Sequence, residues 1–193
     1  MVDVSFNVLK EWVLSSFDEK FALRLKTGDE QAFGELYEQY RPRVYRFAFK
    51  LLRDRDQAED IVQDTFLKAR KSIQTLNQNH SLVSWLFAIT RNEVYSHIRR
   101  TRGNGQADVD DVWDSETPLD EVVGAETVVV VQNMIAQLKP DYKEVILLRE
   151  YERMSYAEIA QITGDTEGAV KARLFKARKA LVKKLKPYFE EQE

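Results

Sequence analysis

Residues 153–181 read RMSYAEIAQITGDTEGAVKARLFKARKAL, and their reading decides the fold. Ser155 stands three residues before Glu158, the S-x-x-E pattern in which side chain and backbone cap a helix start reciprocally. Ile159 and Ile162 then face inward. Thr163-Gly164-Asp165 is a turn, because glycine takes a positive φ at little cost. Thr166 or Asp165 caps a second, longer helix with an apolar stripe of Val170, Leu174, Ala177, Leu181 and Leu185. Its bases fall largely off that stripe. Two short helices joined by a tight turn, the second basic, are the sequence form of a DNA-reading helix-turn-helix. A solvated basic face on a core helix is the plainer alternative, but it leaves the capped short helix and glycine turn unexplained.

Outward from this stretch the charge is divided. The chain carries a net charge of −3, yet residues 165–187 hold eight Lys or Arg against Asp165 and Glu167. Residues 106–127 hold eight acids and no base. Such asymmetry points to a polyanionic partner for one part of the chain. The 193 residues suit one large or two small domains, and 44% hydrophobic residues suffice for a core. The absence of cysteine excludes disulfides, thiolate metal sites and a cysteine nucleophile, and is compatible with a cytoplasmic location. The N-terminus lacks the form of a secretory signal, and no apolar run reaches the roughly 20 residues of a membrane span. Direct membrane insertion is therefore not expected.

Periodicity is helical almost throughout, so the expected fold is all-α: two small helical domains joined by an acidic flexible linker. A helix carries Phe33, Leu36, Tyr37, Tyr40, Val44, Phe47 and Leu51, started by Gly28-Asp29 and kinked or broken at Pro42. Others are expected over about 56–73, 82–100 and 142–151. The expected divisions are an extension over 1–20, a first domain over 21–102, a linker over 103–127 and a helix-turn-helix domain over 128–193. In the extension, Phe6, Leu9, Val13, Phe17 and Phe21 form a helical stripe that would pack on the first domain or on a regulator.

Three N-terminal features carry candidate chemistry. Asp60, Gln63 and Asp64 share one helix face; on their own they read as a solvated acidic surface. Trp85 and Phe87, interleaved with Arg91, Asn92, Arg99 and Arg100, suit single-stranded DNA, where rings stack on bases and cations hold phosphates. The polar segment Thr75–Ser84 is a candidate loop whose amides could meet base edges. Trp85 is expected partly buried with one edge near the site. His80 and His97 lack metal-ligand spacing, so neither a metal nor another cofactor is expected.

GDEQAFGELYEQY (28–40), AEDIVQDTFLKA (58–69) and SWLFAITRNEVYSHIRR (84–100) resemble successive parts of region two of bacterial RNA polymerase sigma factors of the extracytoplasmic-function (ECF) class. LKPDYKEVILLREYERMSYAEIA (138–160) and GAVKARLFKARKAL (168–181) resemble region four. The resemblance runs from about Phe21 to Leu185.

It implies a sigma factor, not an enzyme, with core RNA polymerase and promoter DNA, both duplex and single-stranded, as partners, and an anti-sigma factor as regulator. Asp60, Gln63, Asp64 and Phe66 would bind the largest polymerase subunits. Trp85, Arg91, Asn92, Arg99 and Arg100 would bind the minus-ten element. Thr166, Glu167, Gly168, Lys171, Arg173, Lys176 and Arg178 would bind the minus-thirty-five element. The linker would thread the polymerase channels. Where the family has two hydroxyls in the recognition helix, this chain has Ala169 and Ala172; Ser96 replaces a usual Asp, and Arg70 a usual aromatic. A stand-alone helix-turn-helix regulator is the alternative from a different class. A nuclease built on Asp60 and Asp64 is a poor third, because no second acidic motif completes its site.

Overall fold

A computed structural model describes residues 20–76, 81–102 and 125–190. The stripe Phe6–Phe17, His80 and most of the acidic linker lie outside the described residues. Helix α1 covers 20–26 and ends in a turn at Gly28, whose φ is +80°. Helices α2 (Glu30–Leu52), α3 (Arg55–Ser72) and α4 (Leu82–Arg102) complete a first bundle, with a 3-10 turn at Ile73–Thr75. Helices α5 (Ala125–Ala136), α6 (Pro140–Ile146), α7 (Tyr156–Thr163) and α8 (Glu167–Glu190) make a second. A π-helical turn, Leu147–Tyr151, continues α6. The described residues contain no strand, in keeping with the all-α expectation.

Local signals set most helix starts. Asp29 accepts from the amides of Gln31 and Ala32, and Asp54 from that of Gln57. Each cap meets donors that the first turn leaves without a helical partner. Pro140 opens α6, where a missing N–H costs nothing. Three expectations need correction. Helix α2 runs through Pro42 without a break, because Leu36, Tyr40, Val44 and Phe47 bury one face on both sides of it. The segment Thr75–Ser84 is not a loop at either end: Thr75 closes the 3-10 turn and Leu82–Ser84 belong to α4. Ala125–Thr127, read as linker, begin α5.

The first bundle has a core of Leu25, Leu36, Val44, Val62, Ala69, Leu82 and Leu86, with Trp85 at its margin. A smaller cluster joins Phe49, Ala58, Ile61 and Val94. The second bundle is built around Leu147, Leu148, Ile159, Val170 and Leu174. Phe47 of α2 and Phe87 of α4 belong to this second core. Their rings meet edge to face, centroids 5.4 Å apart. The two bundles thus share apolar interior, with α7 and α6 lying on α4 and α2.

Charged groups are carried into that boundary as well. Lys143 of α6 is 9% exposed. Burial, helped by Arg53, pushes its ammonium down to about 8. The unfolded chain holds the proton to about 10.5, so between those values it binds more protons than the folded chain. Folding stability from this group therefore rises with pH across that window. Lys143→Met should stabilise the fold at pH 7 by an amount on the order of 3 kcal/mol, read as a higher melting temperature. The gap between variant and parent should narrow as pH approaches 10; thermal melts at pH 7, 8.5 and 10 check the sign. Separately, Ser155→Ala removes a complete capping box and should cost about 1 kcal/mol, read as a lower denaturant midpoint.

Candidate nucleic-acid and protein interface

The helix-turn-helix geometry is set by its caps. Ser155 Oγ accepts from the Glu158 amide at 3.2 Å, while Glu158 accepts from the Ser155 amide at 2.8 Å. Gly164 ends α7 at φ +75°. Of the two candidate caps for α8, Thr166 serves, accepting from the Ala169 amide at 3.2 Å. Asp165 instead takes Arg173 Nη1 at 2.6 Å, and that guanidinium holds the Asp165 carboxyl below its usual range. The apolar stripe expected for α8 is buried at Val170, Leu174 and Ala177, then half-buried at Leu181 and Leu185.

On the outward face of α8, Glu167, Gly168, Lys171 and Lys176 are exposed. A methyl group at Gly168 would meet only Thr166 Oγ1, at 3.9 Å. Lys171 Nζ lies 3.7 Å from Glu167 and 5.3 Å above the Tyr156 ring. Arg178 donates to Glu150 at 2.6 Å. Thus Lys171 and Lys176 project to solvent, whereas Arg173 and Arg178 are held by acids of the same bundle. An N-terminal helix segment with exposed cations and small residues Gly168, Ala169 and Ala172 offers a surface that can enter a DNA major groove.

On the first bundle, Asp60, Gln63 and Asp64 come together. With Ile61, His97, Arg100 and Thr101 they line an open recess of about 430 Å³. His97 Nε2 lies 2.7 Å from Gln57 Oε1. Phe66 is on a different face: half-buried, its ring is edge to face with Tyr37 at 4.9 Å. Arg100, grouped in sequence with the single-strand set, lines the acidic recess instead.

The rest of that set divides. Trp85 is only 9% exposed, and its indole N–H donates to Thr75 Oγ1 at 3.2 Å. Phe87 is fully buried. Asn92 is exposed and opens onto a groove of about 270 Å³ with Lys68, Lys71, Ser72, Ile89 and Glu93. Lys68 and Lys71 were not among the sequence candidates; the run LKARKS ending α3 was the available signal. Lys68 Nζ is paired with the buried Glu93 at 2.6 Å. Arg99 is exposed.

Arg91 has a partner that no local pattern announces. Its Nε donates to Glu144 Oε1 at 2.6 Å, and its Nη2 lies 3.5 Å from Oε2. Its guanidinium stacks 4.8 Å from the Tyr95 ring centre. Burial pushes the Glu144 carboxyl up, and Arg91 works against that shift. The Tyr95 phenol, hydrogen-bonded to the same carboxylate, is pushed up by burial and by the Glu144 charge. Among the described residues no group of three or more His, Asp or Glu is placed to hold a metal ion, and no helix is long and apolar enough to cross a membrane.

Comparison with known proteins places these surfaces in a family context. The model for Sigma-70 region 2 matches residues 36–104, and that for Sigma-70 region 4 matches residues 129–181. Together they span more than half of the chain. The ECF RNA polymerase sigma factor SigW of Bacillus subtilis is 29% identical over 84% of this chain and 94% of that protein. The ECF RNA polymerase sigma-E factor of Haemophilus influenzae is 29% identical over 88% and 96%. Among solved structures, the sigma factor RpoE of Bartonella quintana, in complex with the anti-sigma factor NepR, matches with a TM-score of 0.67 at 29% identity. That match covers 80% of this chain and 96% of that one. CnrH, solved with the cytosolic domain of CnrY, shares the fold with a TM-score of 0.66 at 23% identity, over 88% and 97%.

Proposed function

The chain belongs to the ECF class of the sigma-70 family, and we propose that it works as an alternative sigma factor controlled by an anti-sigma factor. It binds core RNA polymerase and directs promoter-specific initiation, and the polymerase does the chemistry. The observation that carries this reading is the presence of both region matches, in order, on one chain with two distinct outward surfaces. One is the acidic recess of α3; the other is the basic face of α8.

Residue roles follow from those surfaces. The exposed Asp60 and Gln63, with the half-buried Asp64, dock on the largest polymerase subunits. Phe66, half-buried against Tyr37 on another face of α3, contributes to the same docking. Asn92 and the lysine-edged groove receive an unpaired base of the minus-ten element, with Arg91 and Arg99 on the backbone, while Arg100 belongs to the acidic recess. Trp85 positions this helix through Thr75. Lys171 and Lys176, with Thr166, Glu167 and Gly168, meet the minus-thirty-five duplex, and Arg173 and Arg178 buttress that face. The site of action is the cytoplasm. The anti-sigma partner is inferred from the RpoE relative, which was solved with one.

Run-off transcription with purified core polymerase on genomic templates tests the proposal. Start-site-specific transcripts should appear only when the chain is added. Failure to bind core, with tight duplex binding by the chain alone, would instead indicate a stand-alone regulator. In the reconstituted holoenzyme, Lys171→Ala should cost about 1–3 kcal/mol of promoter binding if the contact is to a base edge. It should also relax preference at one upstream position, measured by competition among promoter variants.

A further inference from the structure

Residues 165–187 hold eight bases and two acids, Asp165 and Glu167. Asp165 is committed to Arg173 Nη1 at 2.6 Å. Glu167, in the first turn of α8, meets Lys171 instead: Oε2 and Nζ are 3.7 Å apart, and the side chains are 53% and 56% exposed. Tyr156 of α7 backs the same ammonium, its ring centre 5.3 Å away. The nearby exposed positions are Gly168, Ala169 and Ala172, so no side chain longer than a methyl group stands beside the pair there. An acid therefore leads the helix whose other outward charges are positive. On a helix that meets a polyanion, such an acid weakens phosphate binding.

We propose that Glu167 and Lys171 act together as one reader of a C·G base pair, Glu167 accepting from cytosine N4 and Lys171 donating to guanine O6. This rests on the sigma-factor reading above, in which α8 meets the minus-thirty-five duplex.

The edge chemistry of the major groove selects that pair. Cytosine offers its N4 donor there, and guanine its O6 and N7 acceptors. The hydrogen bond within the base pair holds N4 and O6 about 2.9 Å apart, close to the 3.7 Å between Glu167 Oε2 and Lys171 Nζ. An acid and a base that stand together thus meet a donor and an acceptor that stand together. An A·T pair also sets a donor, N6, beside an acceptor, O4. There the carboxylate lies next to adenine N7, whose lone pair repels it, and the ammonium next to the thymine methyl. At C·G the carboxylate meets no second acceptor, and N7 adds one for the ammonium. Exchanging the strands puts acceptor against acid, so orientation is read as well. Lys171 alone would serve phosphate binding, which carries no sequence information; Glu167 makes the contact selective. A first-turn acid and an i,i+4 pair also stabilise a helix, but that role is indifferent to the DNA sequence.

The test uses holoenzyme reconstituted from core polymerase and the full chain, carrying either the parent sequence, Glu167→Ala, Glu167→Gln or Lys171→Ala. Each selects from promoter DNA randomised across the upstream element, and the bound templates are sequenced. Thermal melts of the free proteins report any change in helix stability separately.

The parent should select C·G at one upstream position. Glu167→Ala should lower that preference about tenfold and leave the other positions as they were. Glu167→Gln should move the same position toward A·T, because an amide pairs with adenine N6 and N7. Lys171→Ala should relax the position that Glu167→Ala relaxes. An unchanged selected sequence in both Glu167 variants overturns the inference, whatever the melts show. So does tighter binding of every sequence alike by Glu167→Ala, since the acid then only repels phosphate. Relaxation of two different positions by the two alanine variants overturns the joint reading of one base pair. A parent that binds core yet selects no upstream sequence overturns the assignment of α8 to the promoter, and the pair falls with that reading.

Discussion

Phe47 and Phe87 carry the contact on which the arrangement of the two bundles depends. Each ring leaves a helix of the first bundle and is buried among Leu147, Leu148 and Ile159 of the second. Fully burying an aromatic side chain is worth about 1.5–3 kcal/mol, so the pair outweighs any single ion pair at the boundary. The rings also fix which face of α4 meets the second bundle. With Phe87 pointing into that core, Arg91, one helical turn on, must lie at the same boundary. There it must find a carboxylate or remain partly buried with its charge uncompensated.

That consequence orders the polar groups around it. Arg43 lies 5.5 Å from the rings of both Tyr40 and Phe87 and reaches on to Glu152. Arg91 stacks on Tyr95 and reaches Glu144. In both, an aromatic ring fixes the plane of a guanidinium whose edge then meets an acid. Aromatic stacking suits arginine, because its planar fork is weakly hydrated on its faces. Lysine would hold neither geometry. The apolar contact therefore places the rings, the rings orient the cations, and the cations account for the acids of α6 and the segment after it.

Much of this was legible in the sequence, but only its local part. Asp29, Ser155, Gly164 and Thr166 act within a few residues of themselves, and the structure uses each as its pattern implied. The inward stripe of α8 is equally local. Pro42 does not break α2, because burial on both sides of the proline outweighs one missing hydrogen bond. Arg70, at a position usually aromatic in the resembled family, pairs with Glu30 and lies 5.8 Å from the Phe33 ring. Its guanidinium therefore stands over an aromatic ring where the family has an aromatic of its own. The destinations of Phe47, Phe87 and Arg91 were not legible. Periodicity says that a side chain turns inward, not which bundle supplies the interior.

The recognition helix shows the same limit from the other side. Sequence counts four bases between Lys171 and Arg178 as equivalent, but their neighbours separate them. Asp165 lies in the turn before α8 and Glu150 in the π-helical turn that continues α6, and each is within reach of one arginine. The lysines at 171 and 176 remain on the outward face, while the arginines at 173 and 178 hold α8 to its own bundle. Side chains with rigid forks have gone to fixed acidic partners, and flexible ones face outward. With Ala169 and Ala172 on the same segment, the helix presents few fixed hydrogen-bonding groups outward. In the proposed promoter complex its discrimination would rest on a small number of contacts, Lys171 foremost, and on the spacing that polymerase imposes between this helix and α4.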